Sequence, residues 1–287
     1  FYPVEALPQK LNPSSGYLYN TNATPYKCAG KEEELDPKSY NPTFGYLKWD
    51  NNRSLRAERL LASYDSFSYK DIKMIKYDNV WEEEMYTYFA EDLGTLLKLD
   101  PEKYPEISEG LEVIRDWDFR AGISNKEASL VTLAFYYMMD IIKERAVMYE
   151  VNQFKEEEYV ASVAFAMAHL EKHFGSLRVP LGKVHRHVRG DKNIPMPGMP
   201  EVLQMNIGTP YKKGQYKCSH GESYISFMRF TDAGVQLETV VPYGSSNDPE
   251  SPHYTDQMEI YARQSLKPMT LDKSRIIENA EKIYHPY

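Results

Sequence analysis

His169 and His173 stand four residues apart in His169-Leu170-Glu171-Lys172-His173, a spacing that puts two imidazoles on one helix face, where they can share a metal ion. The order is not the His-Glu-x-x-His of helical zinc hydrolases, so a solvated helix face is the plainer reading. His185 and His187 share one side of a strand pattern but have no evident third ligand. No metal site is therefore expected. Asp116-Trp117-Asp118 offers paired carboxylates, yet it falls between helical stretches, where Asp also caps chain ends. Glu32-Glu33-Glu34 reads as a solvated loop, and His253 as a loop buttress rather than a base. Asn22-Ala23-Thr24 and Asn52-Arg53-Ser54 match the glycosylation acceptor pattern, although Asn beside Thr and Pro is also a common turn former.

Cys28 and Cys218 are the two cysteines. They either form a disulfide, which over so long a loop contributes roughly 4–5 kcal/mol in the chain-entropy model, or stay as two buried thiols. The 287 residues are 42% hydrophobic and 26% charged, which suits a folded chain large enough for a full core. A net charge of -8 gives no general attraction to phosphate backbones or anionic lipid, so nucleic acid and membranes are not expected partners. No stretch has the apolar length of a membrane span. The 24 tyrosines suit rings packed at a wet edge, with a carbohydrate platform as the sharper alternative.

Three zones must position these groups. Residues 1–53 are rich in Pro, Asn, Gly and Tyr and read as short strands and loops, with Gly16–Asn20 as a strand ending in a polar tip. Residues 54–176 turn helical. Leu55, Leu60 and Leu61 line one helix, Ser68–Asp71 caps the next, and Tyr86, Phe89, Leu93, Leu96 and Leu97 mark another. Ser124–Glu127 reads as a capping box before a long helix through Val147, and Glu156–Phe174 as a helix ended by Gly175. Residues 177–287 carry strand patterns at Val202–Ile207, Ser223–Phe230 and Val235–Val241, with a hairpin turn at Thr231–Gly234 and closing helices at Ser251–Gln264 and Asp272–Ile283. Strands, then helices, then strands define an α+β chain.

Two stretches go further. Asn12-Pro13-Ser14-Ser15-Gly16-Tyr17-Leu18-Tyr19-Asn20-Thr21-Asn22 leads into Pro25, and Gly244-Ser245-Ser246-Asn247-Asp248-Pro249 leads into Ser251-Pro252-His253-Tyr254 and Asp256-Gln257. Between them, Arg53 precedes Arg59-Leu60-Leu61 in an R-x-x-x-x-x-R-L-L pattern. Together and in this order they resemble the penicillin-acylase family, which includes penicillin amidases and acyl-homoserine-lactone acylases. The match touches both ends of the chain, while the helical middle agrees in character only.

The resemblance implies part of an N-terminal-nucleophile hydrolase αββα sandwich with a helical lobe, hydrolysing a linear amide. Asn22 is then similar to the family's side-chain donor to the oxyanion of acyl transfer, with Asn20 shaping the tip. Arg53 matches an arginine that orients an amide or carboxylate, the alternative being a salt bridge to an acid at the helix start. In this class a Ser, Thr or Cys at the mature N-terminus attacks, its own α-amine serving as base. Residue 1 is Phe, so the nucleophile is expected upstream and this chain alone is expected to be inactive. The implied partners are the remaining segments of an autoprocessed precursor and a small-molecule amide, in the periplasm or outside the cell. No organic cofactor is implied, and calcium is conceivable only in the complete enzyme. The alternatives are a lipid-amide or acyl-homoserine-lactone acylase, or a non-catalytic binding homologue of the same fold.

Overall fold

A computed structural model describes residues 2–84, 87, 94–145 and 154–285. The chain divides into two compact units, Phe1–Arg186 with Pro195–His220, and His187–Ile194 with Gly221–Tyr287. Helices and sheets are both present.

The first unit holds helices α1 (Asn52–Ala62), α2 (Tyr69–Lys76), α3 (Thr95–Lys98), α4 (Ser108–Arg115), α5 (Ala128–Arg145), α6 (Glu156–Phe174) and α7 (Leu181–Val184). Helix α5 is apolar around nearly its whole circumference, and Ala128 through Tyr136 are all buried, as an interior helix requires. Helices α4 and α6 pack beside it, bringing Leu111, Phe135, Val163 and Leu170 into one core with Trp81. Gly110 allows the close approach of α4 and α6, because a Cβ there would meet Met167 and Val163 within 2.9 Å. Helix α6 ends at Gly175 in the left-handed conformation, as its sequence indicates (φ 68°).

Strand β1 (His185–Arg189) begins in this unit, where His185 and Arg186 pair in parallel with Tyr216 and Lys217 of β4 (Tyr216–Gly221), while β2 (Lys192–Pro195) follows β1. Strand β3 (Asn206–Pro210) lies on the other side of β4. In the second unit β5 (Ile225–Thr231), β6 (Gly234–Val240) and β7 (Lys267–Met269) form an antiparallel sheet in that order. The expected hairpin is present, with Thr231 opposite Gly234 across the turn.

Several expectations are corrected. The segment Gly16–Asn20 is not a strand, and the described residues before α1 contain only short 3-10 turns. The alternation of Tyr17 and Tyr19 serves ring packing instead: Tyr17 meets Phe67 edge-on, Phe67 meets Tyr64, and farther on Tyr26 packs with Tyr40 and Tyr46. The strand expected at Val202–Ile207 starts only at Asn206, because Val202–Gln204 turns. Asn125, not Ser124, caps α5, accepting from the Glu127 and Ala128 amides. The closing helices shorten to α8 (Met258–Ala262) and α9 (Lys273–Glu278). Of the apolar positions read as one helix, Tyr86, Phe89 and Leu93 lie outside the described residues, as does Val147; Leu96 and Leu97 fall in α3. No described helix is long and apolar enough to cross a membrane.

Candidate active site

The tip Asn20–Asn22 is built by a chain of local hydrogen bonds. Glu33 accepts from the Ser14 and Ser15 amides at 2.7 and 3.0 Å, clamping the turn that precedes the tip. Hydrogen bonding from Ser15 holds the Glu33 carboxyl down to about 2, so this acid does a specific job and is not simply solvated loop. Tyr19 donates its amide to the Cys28 carbonyl at 2.9 Å and closes the loop from the other side. Asn20 Oδ1 then accepts from the Asn22 backbone N–H at 2.8 Å, an Asx turn that leaves Asn22 in the left-handed region at φ 56°. Asparagine tolerates that conformation better than any β-branched residue.

Helix α1 meets this tip end-on. Asn51 is its N-cap and exchanges hydrogen bonds with Ser54, while its Nδ2 reaches the Thr21 and Asn22 carbonyls at 3.4 and 3.5 Å. Arg53 Nη1 donates to Asn22 Oδ1 at 2.9 Å. Arginine can only donate, so this contact fixes which end of the Asn22 amide is oxygen. The Nδ2 end of the exposed Asn22 side chain is left without a partner among the described residues. The arrangement presents an N–H donor with no charge to desolvate, held by its own oxygen.

The far side of Arg53 is acidic. Its Nε lies 3.8 Å from Glu201 Oε2, with side-chain exposures of 13% and 2%. Glu201 has φ 66°, a conformation that costs a non-glycine residue about 1–3 kcal/mol and so must be held by its surroundings. The holding is visible. Asn52 Nδ2 donates to the Glu201 carbonyl at 2.9 Å and to the Val80 carbonyl at 3.3 Å, and Asn52 Oδ1 accepts from the Glu82 amide at 2.8 Å. Trp81, between those two, is anchored against Phe135 of the core. The Gln204 amide donates to the Asp78 carbonyl at 2.8 Å, and Arg56 grips the Asp78 carboxylate with two hydrogen bonds. Glycine is required at Gly198 (φ 86°), where a Cβ would come within 2.0 Å of the Gln204 carbonyl oxygen.

Thus Asn22 and Arg53, singled out separately in the sequence, are in direct contact. Arg53 does pair with an acid, but the acid is Glu201 from a distant loop and not one at the helix start. Sequence reasoning missed Glu201 and the double role of Asn51. Nothing in the local sequence signals that Glu201 meets Arg53. Arg59 pairs with Glu82 and Glu84, completing a charged rim on α1. Asn52 is fully buried and hydrogen-bonded, which removes it as a glycosylation acceptor.

The other candidates have separate occupations. His169 Nε2 bonds the Gly214 carbonyl at 2.8 Å, and burial lowers its pKa; the His173 ring lies beside it at 4.7 Å. His185 sits between the Gly198 carbonyl at 2.9 Å and the Tyr136 hydroxyl at 3.2 Å. His187 bonds the Pro242 carbonyl at 2.7 Å, its pKa lowered by burial. Asp116 pairs with Arg178, while Asp118 Oδ1 accepts from Asn125 Nδ2 at 2.7 Å. Among the described residues no group of three His, Cys, Asp or Glu side chains is placed to hold a metal. Cys28 and Cys218 are free thiols rather than a bridge, and Cys218 Sγ donates to Asn206 Oδ1 at 3.4 Å.

The Gly244–Gln257 stretch, in the second unit, is a self-braced loop. Buried Gln257 accepts from the Val241 amide at 2.9 Å and donates to Ser245 Oγ at 2.5 Å. His253 Nδ1 contacts Asp256 Oδ2 at 3.1 Å, and this hydrogen bond, with Glu281 beyond it, raises the His253 pKa. A raised folded-state pKa means the contribution is fully present below the unfolded value near 6.5 and is lost as pH climbs through the higher folded value. An NMR titration is expected to place His253 above the model-peptide value, and Asp256→Asn to bring it back down.

The penicillin amidase family model matches residues 1–278, and the chain belongs to that family. It is similar to the acyl-homoserine lactone acylase PvdQ of Pseudomonas fluorescens, at 26% identity over 98 residues, covering 33% of this chain and 13% of that protein. A thermostable penicillin G acylase from Alcaligenes faecalis aligns over 100% of this chain and 59% of its own, at 16% identity and a TM-score of 0.49. The chain therefore spans only part of the length of these relatives.

Proposed function

We propose that the chain is part of an acylase that hydrolyses a linear amide, and that Asn22 supplies the side-chain donor to the oxyanion. The observation that carries this reading is the Arg53–Asn22 contact at 2.9 Å, which turns the Nδ2 end of Asn22 outward as a fixed donor. Acyl transfer develops negative charge on the carbonyl oxygen, and preorganised N–H groups aimed at that position are the largest single source of rate enhancement. The described residues offer the donor. The nucleophile is an N-terminal serine on another segment of the same precursor, released by self-cleavage, and the complete protein has the αββα arrangement. It works in the periplasm or outside the cell. The name of the relative PvdQ, an acyl-homoserine lactone acylase, supports an acyl-homoserine lactone as the second reading of the substrate.

Intact mass and N-terminal sequencing of the product of the complete gene test this directly. The expected result is two chains, the larger starting at Ser and containing this sequence, with release of para-nitroaniline from acyl anilides. An uncut product without activity on anilides of any chain length, from acetyl to dodecanoyl, sinks the acylase reading and leaves a binding homologue.

A further inference from the structure

We propose that Glu201 is a positioning residue for the oxyanion donor, acting through Arg53 on Asn22; this rests on the acylase reading above. Three observations converge. The Glu201 carboxylate is buried against Arg53, and the opposite side of the same guanidinium holds Asn22 Oδ1. The guanidinium is planar, so a charge fixed on its Nε side sets the direction of its Nη1 donor on the other. Glu201 also stands in a left-handed conformation that only a closely held loop sustains, with Asn52 of the same helix bonded to its carbonyl. The residue that bonds Asn22 and the residue that bonds the Glu201 backbone are adjacent on α1, so the start of the helix ties loop and tip together.

A carboxylate needed only for folding could sit anywhere on that loop. This one is placed where a shift of the arginine transmits directly to the amide that meets the substrate. Misplacement of a reacting or stabilising group by about 1 Å can cost on the order of 100-fold in rate. The effect belongs to kcat, because the oxyanion develops on the way to the tetrahedral intermediate and is absent from the bound ground state.

The test is a double-mutant cycle in the complete, processed enzyme, using the acyl para-nitroanilide it hydrolyses best. Glu201→Gln is expected to lower kcat by about 10- to 100-fold with KM within twofold. In an Asn22→Ala background the same change is expected to lower kcat by less than about twofold, because the amide it positions is gone. A Glu201→Gln protein that does not accumulate folded is replaced in the cycle by Glu201→Asp, which keeps the charge and is expected to cost about three- to tenfold. Full additivity with Asn22→Ala, or unchanged kcat in the Glu201 variants, overturns the proposal while leaving the acylase reading intact. An Asn22→Ala enzyme that keeps its full kcat overturns the reading beneath it.

Discussion

Asn22→Ala in the complete enzyme is expected to lower kcat by about 100- to 1000-fold, equivalent to roughly 2.7–4 kcal/mol of lost transition-state stabilisation. KM is expected to change little, because the oxyanion forms only after the ground state is left behind. Stability is also expected to change little, since the side chain is exposed and, among the described residues, its only side-chain hydrogen bond is the one Arg53 donates. The left-handed backbone at φ 56° disfavours alanine by about 1 kcal/mol, which sets the size of the accompanying thermal shift. Steady-state kinetics beside a thermal melt separate the two effects. Asn22→Asp is the sharper partner: it keeps the shape, replaces the N–H donor with an anion, and so opposes the developing charge. It is expected to be no better than alanine. An Asp variant with substantial activity would place the donor elsewhere.

Why Asn22 and Arg53 were legible while Glu201 was not follows from what each residue interacts with. Asn22 lies in a tight polar tip whose Asx turn is written into Asn20-Thr21-Asn22 itself. Arg53 stands out only through its spacing to Arg59-Leu60-Leu61, which successive turns of α1 carry in sequence. Glu201 meets α1 only in three dimensions, from a loop whose course is set by Gly198 and by bonds to Ala121 and Asp78. No local pattern announces such a meeting. The helices α5 and α6 were legible because length and apolar content dominate their energetics, and α6 stops at a glycine as expected. The strand expected at Gly16–Asn20 failed for the opposite reason: aromatic alternation fits a pleated surface, but here the rings find Phe67 and one another, and no ladder is needed. Glu33 is on the surface as expected, but its clamp on Ser14 and Ser15 was not legible, because its partners are backbone amides, which a sequence does not display.

Arg53→Met is expected to damage both stability and catalysis, and the two losses can be pulled apart. Removing the guanidinium takes away the cation that pairs with the Glu201 carboxylate, which is only 2% exposed. Breaking a buried pair in this way typically costs about 3–5 kcal/mol. The N···O separation of 3.8 Å and the partial exposure of Arg53 place the cost toward the lower end. Arg53→Lys keeps the charge, yet one ammonium cannot span from Glu201 to Asn22 as a planar fork does, so it is expected to spare stability more than kcat. The decisive protein is the double variant Arg53→Met/Glu201→Gln. With no charge left to strand, it is expected to recover more than half of the lost denaturation midpoint, read in urea by circular dichroism. Its kcat is expected to stay low, because Asn22 Oδ1 still lacks a donor and the amide is free to turn. Recovery of both together would mean that Arg53 serves only to neutralise Glu201, and the oxyanion donor would then owe its orientation to the Asx turn alone.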